Sequence, residues 1–119
     1  MNFRNLEVWK RSVRLSAELY QGLRGLKDYG FKDQITRSGL SVPSNIAEGY
    51  GRGSVKETIQ FLHYAKGSCA ELQTQIIIGI EVGYIEKQQG IQWQQESEEL
   101  SAMLGGLIKT KRQHISPPK

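Results

Sequence analysis

Apolar residues recur at intervals of three and four in every long window of this 119-residue chain, and no stretch alternates between apolar and polar residues. That spacing matches the 3.6-residue period of an amphipathic α-helix, whereas half-buried strands show a period of two. Glycine-containing segments divide the pattern into four parts. Because short connections favour antiparallel neighbours, we predict an all-α, up-down-up-down antiparallel four-helix bundle.

The chain length fits one domain, and 38% hydrophobic residues are enough for a core without disulfides or a structural metal. We predict that residues 1–115 form the bundle and that residues 116–119 are a disordered tail. The single cysteine, Cys69, lies in phase with apolar residues and is interpreted as a small buried hydrophobic residue. With no run near the ~20 apolar residues that cross a bilayer and no signal core at residues 1–5, a soluble cytoplasmic protein is expected.

The first two predicted helices are separated by a glycine-containing turn at residues 25–30. The first runs from about residue 5 to residue 24, and its core-facing positions are expected to be Leu6, Trp9, Val13, Ala17, Tyr20 and Leu23. The second runs from about residue 31 to residue 50 and contains Pro43. An interior proline removes a backbone hydrogen bond and costs about 3 kcal/mol, so we predict a functional bend near Pro43.

The third predicted helix opens at Ser54, whose side chain is expected to cap the Glu57 amide while Glu57 reaches back, forming a capping box. This helix continues to about residue 85, and the fourth runs from about residue 91 to residue 113. The core-facing positions of the third helix are expected to be Val55, Ile59, Leu62, Ala65, Cys69, Leu72, Ile76 and Gly79. Four apolar side chains lie off that row: Phe61, Tyr64, Ile77 and Ile78. They indicate either a central position of the helix in the bundle or a subunit interface.

Three segments of the chain carry a family resemblance: residues 3–10 (FRNLEVWK), residues 41–49 (SVPSNIAEG) and residues 67–72 (GSCAEL). Over nearly its whole length the chain resembles the four-helix-bundle family encoded in intervening sequences of bacterial large-subunit (23S) ribosomal RNA genes. The resemblance implies a ring, commonly a homopentamer, without established catalytic activity or catalytic residues. It also implies a distant similarity to the accessory variability protein of diversity-generating retroelements, a ring that binds nucleic acid and a reverse transcriptase.

The net charge of +4 is uneven along the chain, because residues 54–104 hold three Lys/Arg against seven Asp/Glu while both flanking segments are basic. In the predicted topology, the start of the first helix, the turn between the second and third, and the end of the fourth share one end of the bundle. Nine cations are expected to gather there: Arg4, Lys10, Arg11, Arg14, Arg52, Lys56, Lys109, Lys111 and Arg112. The opposite end is expected to hold Glu81, Glu86, Glu96, Glu98 and Glu99, diluted by four cations.

Glycines at positions 49, 51 and 53 lead directly into Ser54 at the start of the third helix. Free backbone amides at a helix N-terminus favour an anion, so a nucleic-acid phosphate is expected on Ser54 beside Arg52 and Lys56. The segment does not match a nucleotide-binding loop, because no strand precedes it and the required lysine spacing is missing. The alternative is that the glycines only end the second helix and turn the chain.

Polar residues form one row on each of the two central helices. The second helix carries Arg37, Ser41, Asn45, Glu48 and Arg52, and the third carries Gln60, His63, Gly67, Glu71 and Gln75. Since residues three and four apart share a helix face, the rows are predicted to meet as an interhelical or intersubunit network. Arg37 is the expected partner of a partly buried Glu71. A small-ligand site is the alternative.

Catalytic and metal-binding patterns are not found in the chain. Its two histidines lack neighbouring ligands at zinc spacing, and no Glu-x-x-His pair of a di-iron bundle occurs. We therefore expect a non-enzyme without metal or cofactor: an oligomeric, ring-forming accessory or scaffold protein that associates with nucleic acid, favoured to be RNA. Its expected partners are further copies of itself, RNA and a reverse transcriptase or other protein, and no membrane. The alternative function is a protein-binding adaptor with no physiological nucleic-acid binding.

Overall fold

Four α-helices form the protein in a computed structural model that describes residues 2–115. The helices are α1 (Glu7–Gly22), α2 (Tyr29–Tyr50), α3 (Val55–Glu81) and α4 (Lys87–Arg112), and a 3₁₀ turn at Phe3–Asn5 precedes α1. No strand occurs within the described residues. The all-α four-helix fold is confirmed, and the predicted tail at residues 116–119 lies outside the described part of the chain.

Consecutive helices run antiparallel along a bundle of 55 × 22 × 20 Å. The Thr58 hydroxyl, at the start of α3, donates to the Gly49 carbonyl near the end of α2 at 2.8 Å. The indole N–H of Trp93, near the start of α4, donates to Glu18 near the end of α1 at 3.2 Å. Both α1 and α3 pack on α2 and α4, so α1 and α3 lie diagonally opposite each other.

The core-facing row predicted for α3 is confirmed from Ile59 onwards. Leu62, Cys69 and Leu72 are fully buried, while Val55 in the first turn remains 36% exposed. Burial of one leucine or isoleucine side chain contributes about 1.5–3 kcal/mol, so this row supplies much of the bundle's cohesion. The buried position predicted for Cys69 is also confirmed.

The predicted core-facing row of α1 is wrong in its helical phase. Val13 is 39% exposed and Tyr20 is 49% exposed, and Ala17 also lies on the surface. The residues of α1 that do face the core are Val8, Ser12, Leu15, Ser16 and Leu19. Leu6 and Leu23 are buried, as predicted, but they flank the helix.

Close packing of α1 against α2 explains this phase. Gly39 of α2 leaves room for Leu19, because a Cβ at position 39 would lie 2.5 Å from Leu19 Cδ1. Ser12 can be buried there because its hydroxyl donates to the Trp9 carbonyl at 2.8 Å. A row of two serines with Val8, Leu15 and Leu19 therefore faces the core, and Val13 and Tyr20 are left on the surface.

Helix α2 continues as one α-helix through Pro43, whose side chain is buried. The Asn45 side-chain amide donates to the Ser41 carbonyl at 2.8 Å, and these residues lie two positions after and two positions before Pro43. The carbonyl that loses its helical donor at Pro43 is that of Gly39, four residues earlier, so the Asn45 contact does not replace the missing bond. The bend of the helix axis at Pro43 stays a prediction.

The start of α3 agrees with its prediction in part. Ser54 Oγ accepts the Glu57 amide N–H at 3.2 Å, as expected for an N-cap. The Glu57 carboxylate accepts from the Ser54 hydroxyl at 3.2 Å, so it reaches the side chain of the capping residue. A bond to the Ser54 backbone N–H, which would complete the capping box, is not among the contacts of residues 2–115.

The end of α3 differs from its prediction, because the helix stops at Glu81 and not near residue 85. Gly83 adopts a φ of +80°, a left-handed conformation that ends helices and favours glycine. The chain then folds back so that the Tyr84 and Ile85 amides both donate to the Gly79 carbonyl, at 2.8 and 3.0 Å. Ile85 enters the core from the connection between α3 and α4.

Candidate nucleic-acid interface

Three chain segments meet at one end of the bundle: residues 2–10, 48–57 and 105–115, here called the basic end. The Lys111 ammonium lies 5.0 Å from the centre of the Tyr50 ring, which joins the last turns of α4 and α2. Arg112 Nη2 lies 3.2 Å from His63 Nε2 on α3. The fold therefore brings Lys111 and Arg112 together with the turn that contains Arg52.

Arg52 is held by neighbours on both sides of that turn. Its guanidinium contacts the carboxylates of Glu48 at 3.3 Å and Glu57 at 3.9 Å. Its central carbon lies 4.7 Å from the centre of the Phe61 ring. Because these ion pairs are about half exposed, each contributes at most about 1 kcal/mol, and a phosphate can replace a glutamate as partner.

Ser54 is less open to an anion than the sequence suggested. Its hydroxyl accepts the Glu57 amide and donates to the Glu57 carboxylate, both at 3.2 Å. The side chain at this helix N-terminus thus already has an acidic partner. A phosphate would have to displace the Glu57 carboxylate before it could bind Ser54.

Arg11 and Arg14 lie on the side of the bundle that faces α4. Arg11 forms a bidentate pair with Glu96, and its Nη2 lies 2.7 Å from Glu99. These bonds hold the pKa of Arg11 above its ordinary value and lower the pKa of Glu96. Arg14 lines a small cavity beside Glu96 and Trp93.

The expectation that Glu96 and Glu99 lie at the opposite end of the bundle is therefore wrong. α4 continues for several turns on both sides of them. They meet α1 along the length of the bundle, where Arg11 joins the two helices.

The remaining cations divide into paired and unpaired groups. Lys10 lies 3.7 Å from Glu7, one turn earlier. At the basic end, five cations have no carboxylate partner within residues 2–115: Arg4, Lys56, Lys109, Lys111 and Arg112. The basic end as a whole holds seven Lys/Arg against three Asp/Glu, whereas residues 20–33 and 77–92, here called the opposite end, hold four against four.

In the single chain, the polar residues of α2 contact other residues of α2 or of the turn that follows it. Arg37 Nε donates to Asp33 at 3.0 Å, and Ser41 Oγ donates to the Ser38 carbonyl at 2.9 Å. Glu48 pairs with Arg52, while Glu71 of α3 is exposed rather than partly buried. An Arg37–Glu71 pair does not form within this chain. The intersubunit form of the network stays a prediction.

The off-row apolar residues of α3 lie on the surface of the single bundle. Tyr64, Ile77 and Ile78 are each close to half exposed. Phe61 is partly covered, with its ring 5.2 Å from that of Tyr64 in an edge-to-face arrangement. A central position in the bundle is thus excluded for Tyr64, Ile77 and Ile78, and the subunit interface stays a prediction.

The opposite end contains a cavity of about 790 Å³ that sequence reasoning missed. Tyr20 and Tyr29 line it from α1 and α2, together with Arg24 and Lys32. Tyr20 was assigned to the core because it shares a helix face with Trp9 and Val13. The sequence signal that could have revealed this cavity was a pair of tyrosines on either side of a turn, with Arg24 and Lys32 close to them in the chain.

The pKa values of Cys69 and Asp28 are also shifted. Burial raises the pKa of the Cys69 thiol to about 11, so it is protonated at neutral pH. Asp28 caps α2 by accepting from the Phe31 amide at 3.1 Å and also accepts from the Tyr84 hydroxyl at 2.8 Å. These two bonds lower the pKa of Asp28.

Two further features are not found within residues 2–115. No group of three or more His, Cys, Asp or Glu side chains is placed to hold a metal ion in this part of the chain. None of its helices combines the length and apolar character that crossing a membrane requires.

These features define a class: a four-helix bundle with one end rich in unpaired cations and apolar side chains exposed on diagonal helices. The model of the 23S rRNA-intervening sequence protein family matches residues 4–106, and the chain belongs to that family.

A solved structure from Bacteroides thetaiotaomicron has the same fold. It is described as a protein with unknown function from the S23 ribosomal protein family, and it is 26% identical to this chain. The superposition has a TM-score of 0.81 and covers 86% of this chain and 98% of the Bacteroides chain. No curated protein matches the sequence.

Proposed function

We propose that this chain is a non-catalytic accessory or scaffold protein of the cytoplasm that associates with RNA through its basic end. The observation that carries the proposal is the charge there, seven Lys/Arg against three Asp/Glu, drawn from three segments far apart in sequence. Unpaired cations attract a phosphate backbone and release its counterions on binding.

The proposed assembly is a closed ring of identical chains, with five copies as the expected number. On α3, the exposed apolar side chains are Tyr64 and, nearer the opposite end, Ile77 and Ile78. On the diagonal side, Val13 of α1 is 39% exposed and Leu40 of α2 is 47% exposed. Two different apolar faces on opposite sides of a protomer favour head-to-tail contacts, which close into a ring.

The second candidate function is a protein-binding adaptor, with a reverse transcriptase or another polypeptide as partner. The same exposed apolar faces favour it, because patches of this kind also bind other proteins. An adaptor without a nucleic-acid role would lose affinity for RNA at physiological salt.

Titration of a labelled single-stranded RNA against the full chain, at several salt concentrations between about 50 and 200 mM, separates the two functions. The proposal predicts that the logarithm of the affinity falls linearly with the logarithm of salt and that binding persists at physiological salt. Binding that disappears there would favour the adaptor.

Light scattering tests the ring, which predicts a native mass of five times 13.5 kDa. Replacing Ile78, 47% exposed on α3, by serine should lower that mass. The matched control is Ile91→Ser on α4, where the isoleucine is 42% exposed and lies on neither proposed face. A monomeric wild-type protein would contradict the assembly.

A further inference from the structure

The cavity at the opposite end lies between the last turn of α1 and the first two turns of α2. Its volume is about 790 Å³, within the range of roughly 300–1,000 Å³ that is typical of small-molecule sites. Tyr20 is 49% exposed and Tyr29 is 69% exposed, although both are large aromatic residues. Two open aromatic side chains from different helices therefore line one concave surface.

The cations of this cavity are available to a ligand, whereas the nearby carboxylates are occupied. Arg24 and Lys32 have no carboxylate partner within residues 2–115. Lys32 Nζ lies 4.9 Å from the centre of the Tyr29 ring and donates to the Arg24 carbonyl at 3.4 Å, which holds the ammonium beside the cavity.

Asp33 also lines the cavity, and both it and the neighbouring Asp28 have hydrogen-bond partners. Asp33 accepts from Arg37 at 3.0 Å. Asp28 accepts from the Phe31 amide and the Tyr84 hydroxyl. The cavity therefore favours a ligand that has both a flat aromatic part and a negative charge.

We propose that this cavity binds a nucleoside monophosphate unit, with the base on the rings of Tyr20 and Tyr29 and the phosphate beside Arg24 and Lys32. Stacking on aromatic side chains combined with cationic contacts to phosphate is the usual mode of single-strand recognition, and it tolerates any base. The unit is supplied either by a free nucleotide or by an unpaired residue of RNA. The inference goes beyond the proposed function, which places RNA only at the basic end.

Calorimetric titration of the full chain with adenosine monophosphate, with adenosine and with a pentaadenylate tests the proposal. Adenosine monophosphate should bind more tightly than adenosine. The double variant Tyr20→Ala/Tyr29→Ala should weaken the binding of adenosine monophosphate about 5- to 150-fold, the effect of losing base stacking. Tyr29→Phe is the matched control, because it keeps the ring and should bind as the wild type does.

Further variants separate the parts of the site and the source of the ligand. Arg24→Ala/Lys32→Ala should remove the preference for adenosine monophosphate over adenosine. Tighter binding of the pentaadenylate than of the monophosphate, lost in Tyr20→Ala/Tyr29→Ala, assigns this cavity to single-stranded RNA, and the reverse order assigns it to a free nucleotide. Lys56→Ala/Lys109→Ala at the basic end should leave adenosine monophosphate binding unchanged, so failure here is distinguishable from failure of the proposed function.

Three results would overturn the inference. The wild-type chain shows no binding of either nucleotide at millimolar concentration, or the alanine variant binds as well as the wild type. The third such result is that Tyr20→Ala/Tyr29→Ala lowers the native mass, which would mean that a second copy of the chain fills the cavity. If circular dichroism shows that the double variant is unfolded, the single variant Tyr29→Ala replaces it, since that side chain is the more exposed of the two.

Discussion

The two ends of this bundle have different surfaces, although both are built from turns and helix termini. Cations lie over aromatic rings at both ends, Arg52 at Phe61 and Lys111 at Tyr50 at the basic end and Lys32 at Tyr29 at the opposite end. Positive charge is in excess only at the basic end. At the opposite end the charges balance, and Tyr20 and Tyr29 remain largely exposed beside a cavity. Antiparallel helices thus combine distant segments into one surface suited to phosphate backbones and another suited to a flat ligand.

The largest effect is expected for the core that both ends share. Leu72 in the middle of α3 is fully buried, and Leu72→Ala should cost about 2–5 kcal/mol of unfolding free energy. Urea unfolding should give the same midpoint from Trp9, near the basic end, and from Trp93, near the opposite end, in single-tryptophan variants. Leu72→Met is the control and should cost less than about 1.5 kcal/mol. Two separate midpoints would show that the ends unfold independently.

A smaller effect is expected at the side of the bundle, between the ends. Arg11→Ala should cost about 1.5–3 kcal/mol, because the charge-assisted bidentate pair of Arg11 with Glu96 is only about a quarter exposed. The further bond to Glu99, whose side chain is 62% exposed, adds little. Arg37→Ala is the matched control, since its pair with Asp33 is mostly exposed, and it should cost less than about 0.5 kcal/mol. Equal costs in thermal or urea unfolding would contradict this assignment.

The Arg11 contribution should depend on pH in a defined direction. Hydrogen bonds from Arg11 lower the folded-state pKa of Glu96, so the stabilisation is complete above the ordinary carboxylate pKa. It is lost as the pH falls through the lowered pKa of Glu96 in the folded chain. The stability difference between wild type and Arg11→Ala should therefore shrink in acid, and a difference that grows in acid would refute this origin.

The smallest effects are expected at the two helix caps, one at each end. Ser54→Ala at the basic end should cost about 1 kcal/mol, the usual loss of an N-cap. The bond from the Glu57 amide to Ser54 involves no titrating group, unlike the exposed bond from the Ser54 hydroxyl to the Glu57 carboxylate. Asp28, the cap at the opposite end, has a lowered pKa, so its contribution should be present at neutral pH and disappear as acid protonates it. Comparing Ser54→Ala and Asp28→Ala with the wild type in unfolding experiments at neutral and acidic pH measures this contrast.

The parts of the fold that depend on local sequence could be predicted. The core-facing row of α3 followed from a wide apolar pattern, and the Ser54 cap followed from the spacing of serine and glutamate. The phase of α1 could not, because two apolar rows competed and the choice depended on Gly39 of α2 admitting Leu19. That contact joins residues twenty positions apart and leaves no local signal.

The candidate site was predictable in charge but not in pairing. Helix order alone indicated that Arg52, Lys111 and Arg112 would share one end. The partners of Arg11 lie 85 and 88 residues away on α4. Whether these side chains contact each other depends on the relative rotation of α1 and α4. The cavity at Tyr20 and Tyr29 was missed for the same reason as the phase of α1, since Tyr20 was placed in the core.

The central claim is that RNA contacts the basic end, and matched double variants test it most directly. Lys56→Ala/Lys109→Ala removes two exposed, unpaired cations there, while Lys27→Ala/Lys87→Ala removes two exposed lysines at the opposite end. The account predicts that the first variant makes the negative slope of log affinity against log salt shallower by about 1.4, or about 0.7 per lost phosphate contact on a single strand. The second variant should keep the wild-type slope. Equal slopes for both variants would contradict the account.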